Sequence, residues 1–394
     1  MLRRTATRRA VERPPPVMPR PAGIANGPAG HPDSVRIVIT GASGNVGTAL
    51  LRRLTGAGHD LVGVCRRPPG PVAPYDVATW HPLDLAVDSA EHELTDVFRG
   101  ADAVVHLAWG FQPSHDVEYL ERVDVHGTRA VVGAAQRAGV AHLVHMSSLG
   151  AYSPGPDTGG ADQARVDESW PTEGVPTLAY SRHKVAAERM LDDLERDHPD
   201  GPAVARMRPG LIVQRDSGSA LLRYGVPAYL PSALLRHLPL LPLDRGLVVQ
   251  VVHTDDVADA VARVLERRAT GPFNLAADPP VTREVIARVL QARPVDLPRP
   301  ILRTAAALAW YARLQPLDPG WVDLAFATPL LDTTRARREL DWTRAVSAEA
   351  ALAEVVGGMA DAAAAPSPAL RPCTVVGELT ALFTRGPVGS RRLP

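Results

Sequence analysis

Short runs of β-branched and other apolar residues recur through the first half of the chain, and residues spaced for a helix follow each run. Val35–Thr40, Asp60–Cys65, Ala103–Ala108 and Leu143–Ser148 have the composition of buried strands. Helical spacing follows through Leu54 and from about Val117 to Ala138, and the spacing around 177–195 is helical too. Alternation of this kind predicts an α/β protein with a doubly wound parallel sheet, whose active site lies at the carboxyl ends of the strands. Beyond residue 215 the pattern changes to a smaller C-terminal α/β lobe. A strand is expected over Val248–Val252, with helices begun by Thr254-Asp255-Asp256 and by Thr282 with Glu284. Further helices are expected over Ile301–Leu314 and Ser347–Met359. The expected organisation is a disordered leader over 1–33, a nucleotide-binding domain over 34–215, a substrate lobe over 216–360 and a flexible tail over 361–394. Residues 247–267 are expected to return to the main domain, and a short helix is expected over Val375–Phe383.

The first strand runs directly into Gly41-Ala42-Ser43-Gly44-Asn45-Val46-Gly47 and then a helix. In this strand–turn–helix setting Gly41 permits the tight turn, Gly44 lets backbone approach a pyrophosphate, and Gly47 lets helix pack on strand. The helix start offers free amides and the positive end of a dipole, so the sheet is Rossmann-like and Gly41, Ser43, Gly44, Asn45, Val46 and Gly47 are candidate dinucleotide ligands. A site built for NAD places an acid at the end of the second strand. Here stand Cys65, Arg66 and Arg67, and a guanidinium suits a 2′-phosphate, so NADP is favoured over NAD. Asp84 and Leu85 are expected to end a third strand near the adenine. Leu107 and Ala108 are small or slender enough to let the cofactor lie against backbone.

Composition narrows the class without naming a substrate. Of 394 residues, 45% are hydrophobic and 22% charged, and the formal net charge is +0, so nothing favours nucleic acid or an anionic membrane as partner. Cys65 and Cys373 form no disulfide framework and no metal spacing, so no metal and a cytoplasmic setting are expected. The apolar stretch Leu230–Leu243 is broken by prolines, Arg236 and His237, and no membrane span is read. Residues 1–33 are rich in Arg, Pro and Gly. The run Pro14-Pro15-Pro16 breaks any amphipathic transit helix there, and Met18 is an alternative start.

The chain has 43 basic side chains but one lysine, Lys184, four residues after Tyr180. A compact ammonium one helical turn from a phenol can lower its pKa and hold a ribose hydroxyl, which a planar guanidinium does less well. With this pair in view, the sequence resembles an extended short-chain dehydrogenase/reductase of the NAD-dependent epimerase/dehydratase family. The resemblance rests on Thr40-Gly41-x-x-Gly44-x-x-Gly47, His106-Leu107-Ala108, Gly127-Thr128, Ser147-Ser148 with Tyr152, Tyr180-x-x-x-Lys184 and Arg208-Pro209-Gly210. It also rests on Val252-His253-Thr254-Asp255-Asp256-Val257-Ala258 and Arg338-Glu339-Leu340-Asp341-Trp342. It implies a catalytic set of Ser148, Tyr180 and Lys184, with Tyr180, Lys184 and Pro209 also at the cofactor. Tyr180 is then the acid/base, and Ser148 holds the substrate oxygen. Bringing a phenol from a pKa of ~10 to neutrality needs ~3 units, or ~4 kcal/mol, which Lys184 and the cofactor's positive ring are expected to supply.

Two departures bear on function. Asp124 stands where the family has asparagine, exchanging a group that donates and accepts for one that only accepts. Nucleotide-sugar members place an arginine four residues before the His253 position, and here that residue is Val249, with Arg223 and Arg245 as the available substitutes. The expected activity is an NAD(P)-dependent oxidoreductase acting on a small, relatively apolar carbonyl or alcohol. A nucleotide-sugar epimerase/dehydratase is the alternative within the class, and a non-catalytic NAD(P)-binding regulator the alternative outside it. The Gly/Pro-rich segment between Ser148 and Tyr180, with Asp167 and Glu168, is a candidate specificity loop. By analogy, helices 117–138 and 177–195 are expected to form a homodimer face.

Overall fold

The computed structural model describes residues 34–110, 116–156, 160–225, 238–315 and 317–373. The leader, the helix expected over Val375–Phe383 and residues 230–237 of the apolar stretch lie outside these. Seven parallel strands form the central sheet: β1 (Arg36–Thr40), β2 (Asp60–Cys65), β3 (Ala78–Pro82), β4 (Ala103–His106), β5 (His142–Met146), β6 (Ala203–Pro209) and β7 (Gly271–Leu275). Their order is β7-β6-β5-β4-β1-β2-β3, so the direction of winding reverses between β1 and β4. In such sheets the crevice at that reversal is where ligands bind.

Both faces are covered, as near-continuous apolar strands require. On one face α1 (Asn45–Leu54) packs with a later helix, Thr254–Arg267, through Leu50, Leu51, Val257 and Val261. On the other, α2 (Ala90–Phe98) supplies Leu94 and Phe98. A helical run follows as α3 (Val117–Glu121), a π-helical turn (Arg122–His126) and α4 (Gly127–Arg137), and α5 (Ala179–Asp197) closes that layer. The helix expected unbroken from 117 to 138 is therefore interrupted. The wide turn brings Asp124 inward to 1% exposure, and such single turns recur at functional sites. The third strand also ends earlier than expected, at Pro82. The Leu83 N–H still donates to the Cys65 carbonyl at 2.9 Å, and Asp84 and Leu85 follow in the connection.

After β6 the chain builds α6 (Gly218–Gly225) and then returns to the main unit. Val251–His253 pairs in parallel with Leu211–Val213, α7 is the Thr254–Arg267 helix, and β7 adds the sheet's edge strand beside β6. The return thus continues to Leu275. Acids in the first turn of α7 and Arg267 in its last suit the helix dipole. The lobe then comprises α8 (Arg283–Val289), α9 (Arg299–Tyr311), α10 (Gly320–Ala327), α11 (Thr334–Leu340) and α12 (Ala348–Ala360), with small two-stranded pairings between them. Side-chain caps begin α8 at Thr282 and α12 at Ser347.

The tail expected to be flexible from residue 361 is packed through Cys373. Ala365 and Leu370 are buried against Ala220 of α6. Arg223 donates to the carbonyls of Arg371 (2.5 Å) and Ala369 (2.9 Å), and the Ser367 hydroxyl donates to the carbonyl of Ser43 at 2.5 Å. The Pro- and Ala-rich composition suggested no structure, but short apolar side chains fill the groove beside α6.

Trp342 joins lobe to main unit. It is 2% exposed, and its indole N–H donates to the Asp256 carbonyl in α7 at 2.8 Å. Trp342→Ala removes that bond and opens a cavity, so urea unfolding is expected to show a loss of about 3–5 kcal/mol at an unchanged slope. A loss near zero would show that this junction contributes nothing to stability.

Candidate active site

One cleft of about 560 Å³ runs along the carboxyl ends of the strands, from the glycine turn to the lobe. Every cofactor and catalytic candidate drawn from the sequence lines it: Gly41, Ser43, Gly44, Asn45, Val46, Gly47, Arg66, Arg67, Asp84, Leu85, Leu107, Ala108, Ser148, Tyr180, Lys184 and Pro209. The turn is held to its neighbours by backbone. Gly41 N–H donates to Val64 at 2.8 Å, and Leu107 N–H to Thr40 at 3.0 Å. Gly41 has φ +72°, and a Cβ there would lie 2.6 Å from the Ala108 nitrogen. A Cβ at Gly47 would lie 2.5 Å from the Ala42 carbonyl carbon. Gly44 precedes α1 with no side-chain cap, so the first-turn amides remain for an anion. This donor set and this close backbone approach fit a dinucleotide pyrophosphate. The Asn45 side chain is used elsewhere: its Oδ1 accepts from Gln214 at 2.7 Å, which leaves its backbone N–H as its offering to the cleft.

At the end of β2 the expected acid is replaced by Cys65, a free thiol. Burial pushes that thiol up, and a hydrogen bond from Ser43 opposes the rise. Arg66 lies beside it and donates to the Tyr119 hydroxyl at 2.9 Å, and Tyr119 in turn reaches Asp84 at 3.4 Å. The chain from guanidinium to phenol to carboxylate steadies Arg66 at the rim of the cleft. Tyr119 was not foreseen, because nothing local to α3 signals its reach across to β2.

Ser148, Tyr180 and Lys184 meet at the centre. Ser148 lies just past β5, accepts from Gly150 N–H at 3.0 Å and is hydrogen-bonded to Tyr180. Its neighbour Ser147 instead donates to Glu188 at 2.5 Å, below the cleft. Tyr180 lies between two indoles, with ring centroids 6.3 Å from Trp109 and 5.2 Å from Trp321. Burial pushes its phenol above the ordinary value; the Ser148 bond opposes this, and the Asp124 charge adds to it. Lys184 is 3% exposed, donates to the Met146 carbonyl at 2.8 Å and lies 3.2 Å from the centroid of the Trp109 ring. Burial lowers its pKa to about 7, against the charges of Asp124 and Glu188. The expected depression of the phenol by the amine is therefore not produced by the protein's own groups. Both are stripped of water together, and the amine stands 5.8 Å from the phenol ring.

The lobe end of the cleft is largely apolar, with Gln250 and Thr328 as polar exceptions. Leu149, Val249, Trp321, Leu324 and Ala325 line it, with Trp109 at its junction with the turn. The substitutes for a diphosphate-binding arginine are engaged elsewhere. Arg223 is bound to the carbonyls of the C-terminal segment, and Arg245 pairs with Asp296 at 2.9 Å. Asp167 and Glu168 do not line the cleft. Asp167 accepts from Ser169, and Glu168 accepts from the Asn274 N–H at 2.8 Å. Pro368, Ala369 and Leu370 do line it, beside the glycine turn. No local signal marked these or Trp321. Trp109, directly after the small residues ending β4, was discernible from position alone. Among the described residues no cluster of three His, Cys, Asp or Glu is placed to hold a metal ion, and no helix is long and apolar enough to cross a membrane.

The profile of the NAD dependent epimerase/dehydratase family matches residues 37–276. An uncharacterized protein of Mycobacterium tuberculosis is 28% identical over 325 residues, which is 81% of this chain and 29% of that protein. The chain thus spans under a third of that relative's length. The sterol-4-alpha-carboxylate 3-dehydrogenase (decarboxylating) of Saccharomyces cerevisiae is 26% identical over 308 residues, covering 72% of this chain and 84% of the yeast protein. Among solved structures, the UDP-glucose 4-epimerase of Thermus thermophilus, in complex with NAD, matches with a TM-score of 0.60 at 18% identity. That match covers 82% of this chain and 98% of the other, and it establishes a shared fold.

Gly41→Ala places a methyl against Ala108 in a backbone conformation that L-residues resist. It is expected to weaken dinucleotide binding at least tenfold, read by fluorescence titration, and undiminished affinity would remove the turn from the site. A second expectation concerns the amine. In ligand-free protein carrying lysine labelled with 13C at Cε, the one lysine signal should titrate near pH 7, and a midpoint near the ordinary 10.5 would place Lys184 in water.

Proposed function

We propose that the chain, which belongs to the NAD-dependent epimerase/dehydratase family, is an NAD(P)-dependent oxidoreductase for a carbonyl or alcohol on a largely apolar, ring-built substrate. The observation that carries this reading is the convergence of Ser148, Tyr180 and Lys184 where the glycine-turn arm of the cleft meets its apolar arm. When bound, the nicotinamide supplies the hydride donor or acceptor. Ser148 holds the reacting oxygen by hydrogen bond. Tyr180 gives that oxygen its proton in reduction and takes it in oxidation. A phenol pushed up by burial is held protonated at neutral pH, which suits it to the donating role. Lys184 supplies positive charge behind the phenol, where phenolate forms as the proton leaves.

The substrate class follows from the lining. An arm walled by Trp109, Trp321, Leu149 and Leu324 favours flat hydrocarbon over a charged diphosphate, because desolvating an unpaired phosphate there would be costly. Val249, where nucleotide-sugar members carry an arginine, points the same way, as does the relative named for a sterol carboxylate. Arg66 at the ribose end supports a preference for NADP, since it offers a fork to a 2′-phosphate.

A screen with NADPH and NADH against sterol-like ketones, smaller ketones and UDP-sugars tests the reading. Net cofactor oxidation with apolar ketones is expected. Conversion of a UDP-sugar with no net change in cofactor would favour an epimerase instead. Tyr180→Phe is expected to lower kcat by at least a thousandfold with cofactor affinity unchanged, and retained turnover would remove Tyr180 from acid/base work. Arg66→Ala should raise KM for NADPH about tenfold and leave KM for NADH nearly unchanged, and equal effects on both would remove the 2′-phosphate contact.

A further inference from the structure

Asp124, where the family has asparagine, is 1% exposed in the π-helical turn between α3 and α4. A buried carboxylate requires donors. Gly110 N–H gives one to Oδ1 at 2.6 Å, and the His183 imidazole gives the other to Oδ2 from Nδ1 at 3.0 Å. An ionised carboxylate only accepts, so Nδ1 of His183 carries the proton. The turn is fixed further by the Thr128 hydroxyl, which donates to the Asp124 carbonyl at 2.5 Å. An asparagine fills the same space and accepts the same Gly110 bond. What the exchange changes is a full negative charge beside the residue preceding Lys184.

Of the other described groups facing Lys184, only Glu188 adds a negative charge, and that charge is shared with two arginines. Glu188, one turn later in α5, is held by Arg208 through two bonds of 2.8 and 2.9 Å, and it also lies near Arg206. From β4 and β5, His106 and His145 approach as imidazoles that burial keeps neutral, His106 being pushed down to about 3. Trp109 presents a ring face and Met146 a carbonyl. Tyr180, on the same helix as Lys184, also feels Asp124.

We propose that the Asp124–His183 pair sets the charge state of the cleft: the carboxylate holds Lys184 as an ammonium, and the imidazole keeps that carboxylate aimed. Asp124 is thus a positioning residue that acts through Lys184 and Tyr180. Its relevance to turnover rests on the reading of those two residues given above. The sign of the effect is fixed. Removing the negative charge favours neutral amine and phenolate alike, so both titrations move to lower pH and a bell-shaped rate profile moves with them. A purely structural role would lower the rate at every pH and leave the profile in place.

Because the chain has one lysine, labelling lysine with 13C at Cε gives a single reporter of the amine in ligand-free protein. Asp124→Asn is expected to lower its titration midpoint by about one pH unit. His183→Gln keeps a donor for the carboxylate and is expected to leave the midpoint in place. A midpoint unmoved by Asp124→Asn, or moved equally by His183→Gln, overturns the proposal. The same variants assayed across pH keep the two readings apart. A shifted lysine titration with an unshifted rate profile upholds the charge-setting role and removes Lys184 from the catalytic set.

Discussion

Taking an ammonium out of water costs several kcal/mol unless its protons and its charge find partners, and Lys184 is almost wholly buried. Much of the polar architecture beneath the cleft meets that demand. The last carbonyl of β5 takes one proton, the face of Trp109 takes the charge, and carboxylates on α5 and in the wide turn supply the opposing field. Those carboxylates need partners in turn: Arg208 and Ser147 for Glu188, Gly110 and His183 for Asp124. The polar groups of four elements are therefore ordered outward from one amine. The dryness that lowers the amine also raises the phenol. As folded, the pair holds a proton on Tyr180 and a marginal one on Lys184.

The sheet brings these groups together by ordinary rules. Parallel strands end on one side, and the reversal of winding between β1 and β4 opens the crevice there. Gly41 lets that crevice form, because its backbone meets Ala108 with no room for a side chain between them. The lobe contributes shape more than chemistry. Trp321 and Leu324 from α10 wall the cleft, while α7 and β7 pass back into the main unit and fix the lobe to it.

What could be read from the sequence was what is local. The glycine turn lies within one strand–turn–helix, and Tyr180 and the one lysine share a helix turn, so local spacing pointed to them and the family resemblance implied the pair's role. Asp124 stood out as a departure, but its partner His183 lies 59 residues away and gave no sign of it. The wide turn carries no compositional mark of its own, since it is one short turn joined directly to helix on both sides. The end of β3 lies short of its expected place because Leu83 and Leu85 continue the apolar alternation past Pro82, where the strand stops. The engaged state of Arg223 and Arg245 depends on carbonyls and an acid supplied from far along the chain.

The bond from Ser367 to the Ser43 carbonyl joins positions 324 residues apart. On a ribosome the glycine turn emerges early, and its C-terminal cover is among the last described residues to be made. At roughly 5–20 residues per second, the turn waits on the order of half a minute for that cover. Once α6 has been made, and until Ala365 and Leu370 follow, the nascent chain exposes the groove beside it that they later fill.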